Sequence, residues 1–139
     1  EKQAAACQAK VLQRAGKLYA AHWKAFRKCK KDNFALITGD ADLVSVCLGP
    51  PQTDAKGSIS KALTKLGEKV QSTCLNKGIT PVGAQFPGLC TGTADGMFAA
   101  CLTDRVACRF CQAVNRADAI VPPLDCDAFD GGSAGRSGR

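Results

Sequence analysis

Cys101, Cys108 and Cys111 lie close together in the stretch ACLTDRVACRFCQAVNRAD, the last two spaced as Cys-x-x-Cys. Four kinds of chemistry use such a pair: covalent haem attachment, a zinc knuckle, a dithiol redox couple and structural disulfides. Haem attachment requires a histidine directly after the second cysteine to ligate the iron. Here Gln112 follows Cys111, and the only histidine of the chain, His22, lies far away. A structural zinc site draws on four Cys or His ligands, usually as two close pairs, and this chain has a single such pair. A thioredoxin-like couple sits at the start of a helix after a strand, where the helix dipole lowers one thiol's pKa. Cys108 and Cys111 instead fall in mid-helix by the pattern around them, which leaves structural disulfides as the expected use. No metal and no cofactor is expected.

Composition agrees with cross-linking. The 139 residues include nine cysteines but only six Phe, one Trp and one Tyr, so large side chains to fill a core are scarce. Persistent disulfides need an oxidising compartment, which points to a secreted, extracellular or periplasmic protein. Residues 1–20 are too charged and too short of Leu, Ile and Val to be a signal-peptide core, so the chain reads as a mature form with its leader peptide already removed. No run approaches 18 apolar residues, so no membrane span is expected.

The elements that carry the cysteines read as helices. Cys7, Val11, Ala15, Leu18, His22, Ala25 and Cys29 recur at steps of three and four, one stripe of a helix over about 3–31. Leu12, Tyr19, Trp23 and Phe26 widen the stripe. A second helix is expected over about 53–76, with Thr53 as its cap and Ile59, Leu63, Leu66, Val70 and Cys74 as its apolar stripe. A third, over about 94–119, carries the clustered cysteines and ends before Pro122 and Pro123. The fold class is therefore all-α: three main helices joined by Gly/Pro loops, one disulfide-stabilised domain over 1–123, and a flexible Gly/Ser-rich tail over 124–139. If the first two helices form an antiparallel hairpin, Cys7 meets Cys74, and Cys29 reaches Cys47 just beyond its own helix. Cys90, Cys101, Cys108 and Cys111 complete the disulfide candidates, in pairings that spacing does not decide. Nine is odd, so at least one thiol is unpaired, intermolecular or capped.

The segments CQAKVLQRAGKLYAAHWKAFRKC, ISKALTKLGEKVQSTC, ACLTDRVACRFCQAVNRAD and DCDAFDGG resemble a group of uncharacterised secreted, cysteine-rich helical proteins of delta-proteobacteria and related environmental bacteria. The resemblance implies a further cysteine about a dozen residues after the DCD segment, near the position held here by Gly138. This chain departs from that pattern, which makes Cys126 the candidate for an unpaired or intermolecular thiol. The resemblance implies no activity.

The remaining polar groups have plain readings. His22 on an apolar stripe is expected to be a core histidine hydrogen-bonded to a neighbour. The aromatic stripe of the first helix is expected to pack on the second helix of the same chain. Asp125, Asp127 and Asp130 lack the alternate spacing and the closing Glu of a calcium loop, and are expected to form a solvated acidic turn. The net charge is +7, and it is uneven. Residues 1–31 carry nine Lys or Arg against Glu1 alone, whereas residues 91–130 carry three Arg against six Asp. Lys10, Arg14, Lys17, Lys24, Lys28 and Lys31 form a basic face on the first helix. No nucleic-acid motif and no interleaved aromatics accompany it, so no specific nucleic-acid partner is expected. No catalytic constellation stands out, and the chain is not expected to be an enzyme. The expected role is an extracellular structural or interaction subunit that self-associates into a filament or surface complex by pairing its basic and acidic ends. The alternative is a module that binds an acidic polysaccharide on its lysine face; a redox or haem-carrying protein ranks third.

Overall fold

The computed structural model describes residues 1–49, 51–88 and 90–129. They form helices α1 (Lys2–Asp32), α2 (Asp40–Leu43, continued by a π turn at Val44–Leu48), α3 (Ser58–Thr73), α4 (Asp95–Ala117) and the short α5 (Cys126–Phe129). Single 3-10 turns lie at Phe34–Leu36, Leu75–Lys77 and Val82–Gln85. The all-α class with disulfide staples read from the sequence is the class observed. No strand occurs among the described residues.

At about 1.5 Å per residue, the 31 residues of α1 make a rod about 46 Å long that the rest of the chain wraps. Its C-terminus is closed by Asn33, whose side-chain amide donates to the Cys29 carbonyl at 2.9 Å. Lys30 and Lys31 in the last turn suit the negative end of the helix dipole. α3 begins five residues later than the sequence pattern suggests, because a different side chain caps it. The Asp54 carboxylate accepts the Ile59 and Ser60 amides at 3.1–3.2 Å, while the expected cap, Thr53, donates its hydroxyl to the Val46 carbonyl at 2.7 Å. A carboxylate answers both the free amides and the dipole of a first turn, and outcompetes a hydroxyl there. Gly57, with φ of +66°, makes the left-handed turn that brings Asp54 back over the helix start.

α3 lies antiparallel on the first two-thirds of α1, and the Cys7–Cys74 disulfide joins the start of one to the end of the other. Cys29–Cys47 ties the far end of α1 to the π turn. Both are the pairs that the hairpin geometry suggests. Closing loops of 67 and 18 residues removes chain entropy from the unfolded state worth about 4 and 3 kcal/mol in the loop-closure account. Cys90–Cys101 and Cys111–Cys126 complete the set.

α4 runs in the same sense as α1. Phe98 and Cys101 join the core built by Cys7, Val11, Leu18, Leu66 and Val70, and a turn or more later Phe110 and Val114 join the one built by Phe26, Leu43 and Leu48. The aromatic stripe of α1 therefore packs within its own chain, as expected, but on α4 rather than on the second long helix. Phe110 stands edge-on to Trp23 and Phe26 and stacks on His22. Leu12, expected on the same stripe, is 57% exposed.

Two corrections concern the last third. Cys126 is not the odd thiol: it is bonded to Cys111, and the free cysteine is Cys108, 2% exposed. Residues 124–129, expected in the tail, belong to the folded unit. Asn115 exchanges two hydrogen bonds with Leu124, at 2.8 and 3.0 Å, and the Phe129 ring lies 6.0 Å from that of Phe110. The rest of the expected tail, 130–139, lies outside the described residues.

Peptide mapping of the native protein should recover four disulfides, and alkylation should label one thiol per chain, at Cys108, rapidly only after denaturation. Label on Cys126 would contradict this connectivity. A Cβ added at buried Gly83 would lie 2.6 Å from the Thr91 carbonyl oxygen and 2.7 Å from that of Cys90. Gly83→Ala should therefore cost about 1–3 kcal/mol, read as a lowered denaturation midpoint.

Candidate functional site

The antiparallel packing of α1 on α3 decides where the cations go. Positions 10, 14, 17, 24 and 28 follow one another along a single edge of α1 at helical spacing, and positions 61 and 65 lie one turn apart on α3. The two rows face across a groove of about 370 Å³ that presents Arg14, Lys17, Lys24, Lys61 and Lys65. Its floor is made of small side chains, Ala20, Ala21, Ala62 and Ser58, so nothing bulky fills the space between the long cationic arms. No carboxylate lines it among the described residues. From Arg14 to Lys24 the α1 row extends about 15 Å, long enough for several units of a polymer.

Three of the six residues of the predicted basic face therefore line the groove, and three do not. Lys28 is turned to Asp32 at 2.6 Å, Lys31 is exposed in the last turn of the helix, and Lys10 is exposed one turn before Arg14. Lys61 and Lys65 were not assigned to a site from the sequence. Their four-residue spacing opposite the Leu66 and Val70 stripe was a visible signal of a polar edge, but not of which edge would meet α1. Arg14 is half-buried, and its Nε is shut from water without a hydrogen-bond partner. Such a donor costs about 1–3 kcal/mol unless something accepts from it.

The acidic end is differently disposed. Asp118 accepts from Lys30 at 3.2 Å. Asp95 receives the Thr80 hydroxyl and, at 2.7 Å, the Val82 amide, and so holds the 3-10 turn onto the start of α4. Asp125 accepts the amide of Asp127 at 3.1 Å at the start of α5; Asp130 lies outside the described residues. No group of three or more His, Cys, Asp or Glu that could hold a metal ion occurs among the described residues. No helix among them is long and apolar enough to cross a membrane.

His22 is the buried core histidine that its position on the stripe suggests. Nδ1 lies 2.7 Å from the Gln52 side-chain oxygen, and the Gln52 amide nitrogen donates to the His22 carbonyl at 2.9 Å. That second bond orients the Gln52 amide so that Nδ1 carries the proton. Nε2 is left with its lone pair shut from water and unpartnered. Burial lowers the His22 pKa below the ordinary histidine value, against smaller opposing contributions from the Gln52 bond and Asp54.

No family model matches this chain, no curated protein is significantly similar to it, and no solved structure matches it.

Two acid transitions follow from these groups. The unfolded chain binds a proton at His22 near pH 6.5 and the folded chain only at lower pH, so stability is complete above about 6.5 and falls as the pH drops below it. The Thr80 and Val82 hydrogen bonds hold the Asp95 carboxyl below its ordinary range. Its contribution is present above about pH 3.9 and is lost as the pH falls further. Melting temperature measured against pH should decline in both windows. His22→Leu should flatten the first and leave the second in place, whereas Asp95→Asn should act on the second alone.

Proposed function

We propose that the protein is a non-catalytic extracellular or periplasmic interaction module that binds an acidic polysaccharide in the groove between α1 and α3. The observation that carries this reading is the apposition of five cations from two helices across an open, small-floored groove with no carboxylate in it among the described residues. A single lysine-bearing helix face is ordinarily just solvated. Two such rows turned toward each other repel, and a fold gains nothing from holding them so unless an anion enters between them. A polymer suits the site better than a compact anion, because the charges are spread along about 15 Å of helix rather than gathered at a point. Lysine, a mobile point charge, also fits a flexible chain of carboxylates or sulfates better than it fits one fixed geometry.

Self-association of the basic end with the acidic end draws less support. Asp118 and Asp95, two of the acids it would need, are already engaged within the chain. Four disulfides supply the durability that an extracellular module requires, in the compartment where they can form.

The test is retention of the native protein on immobilised polygalacturonate against neutral dextran, followed by titration at several salt concentrations. Binding should be specific to the acidic polymer. Five displaced counterions, at the efficiency seen for single-stranded nucleic acid, correspond to an affinity loss of about 100-fold between 50 and 200 mM salt. Lys61→Glu with Lys65→Glu should weaken binding at least tenfold while leaving the melting temperature unchanged or raised, since like charges are relieved. Unaltered binding by that double variant, or salt-independent binding, would overturn the proposal. Assembly in place of binding would show as multimers of the polymer-free protein in sedimentation.

A further inference from the structure

We propose that a second site, on the other side of α1, binds a single-chain anionic amphiphile of the fatty-acid type. A cavity of about 710 Å³ lies between α1, α4 and the segment that follows the Val82–Gln85 turn. That volume is in the range of sites that enclose small organic ligands. Leu12, Phe86 and Leu102 line it together with the sulfur-bearing Cys90 and Cys108, and its cations are Arg105 and Arg109. No carboxylate lines it among the described residues.

The order of residues along α4 gives the cavity a direction. Phe86 packs on Phe98 at 4.9 Å between ring centroids, which places it toward the N-terminal part of α4. Leu102 follows, and the two guanidinium-bearing residues come one and two turns later, about 10 Å along the helix from Leu102 to Arg109. The Phe86 end, which also carries Gln8 and Gln85, is thus uncharged and the other end cationic, the distribution that suits a molecule with a hydrocarbon body and one anionic head. Arginine is the side chain whose planar fork matches a carboxylate. Arg109 is exposed and has neither a hydrogen bond nor an ion pair among the described residues. Leu12 supplies the independent sign that the apolar end is uncovered. It belongs to the amphipathic stripe of α1, yet it is left 57% exposed at the cavity wall, where an alkyl chain would complete its burial. A methylene taken from water against such a surface contributes about 0.8 kcal/mol, so a short chain suffices for measurable affinity.

The experiment is isothermal titration of the full, oxidised protein with decanoate, kept below its micellar concentration, with decanol as the uncharged control. Decanoate should bind saturably at one site per chain, and decanol at least tenfold more weakly. Arg109→Glu and Leu12→Asp, both at exposed positions, should each reduce decanoate affinity at least tenfold with the helical circular dichroism unchanged. Lys61→Glu with Lys65→Glu should leave it intact, which separates this cavity from the polysaccharide groove. Absence of saturable binding, equal affinity for decanol, or full affinity in both the Arg109 and Leu12 variants overturns the proposal.

Discussion

The antiparallel contact of α3 with α1, locked by the Cys7–Cys74 disulfide, is the constraint from which the rest of the structure follows. It covers the apolar stripe of α1 with Leu66 and Val70 and fixes the direction of α3. It also leaves the later part of α1, from His22 to Phe26, for α4 to cover with Phe110. A chain with eight aromatic residues cannot hold three long helices together by burial alone. Here six of them gather into two small groups, Phe86 with Phe98, and Trp23 and Phe26 with Phe110 and Phe129. The disulfides lie within the same clusters, Cys90–Cys101 with Phe86 and Phe98, and Cys29–Cys47 with Phe26 and Phe110.

The same contact sets charge against stability. Bringing α3 onto α1 turns Lys61 and Lys65 toward Arg14, Lys17 and Lys24, with no acid between them. Elsewhere two lysines are paired: Lys28 has Asp32, and Lys30 has Asp118. The groove cations have no such ion pair among the described residues. Groups held in an arrangement that burial does not require are where interaction with a partner is to be sought.

The cysteines show how far spacing reaches. Cys7 with Cys74 and Cys29 with Cys47 were legible because helix periodicity placed each cysteine on an inward stripe and a hairpin brought the ends together. Cys126 was misassigned because its partner depends on a reversal after α4. Asn115 holds that reversal by gripping Leu124 at both its amide and its carbonyl, and α5 then delivers Cys126 to Cys111. Cys108 sits three residues earlier on α4, buried beside that bridge and without a disulfide partner among the described residues.

By itself the sequence determined the three long helices, their inward and outward faces, the reliance on disulfides and the basic character of α1, because each depends on residues a few positions apart. It also foretold that His22 would be buried and hydrogen-bonded, though not that Gln52 would be the partner. Only the tertiary structure decided which cysteine stays free, which cap starts α3, that Leu12 remains uncovered, and that two lysines of α3 complete a groove begun by α1. Each of those depends on groups distant in the chain, brought together by packing whose geometry no local pattern encodes.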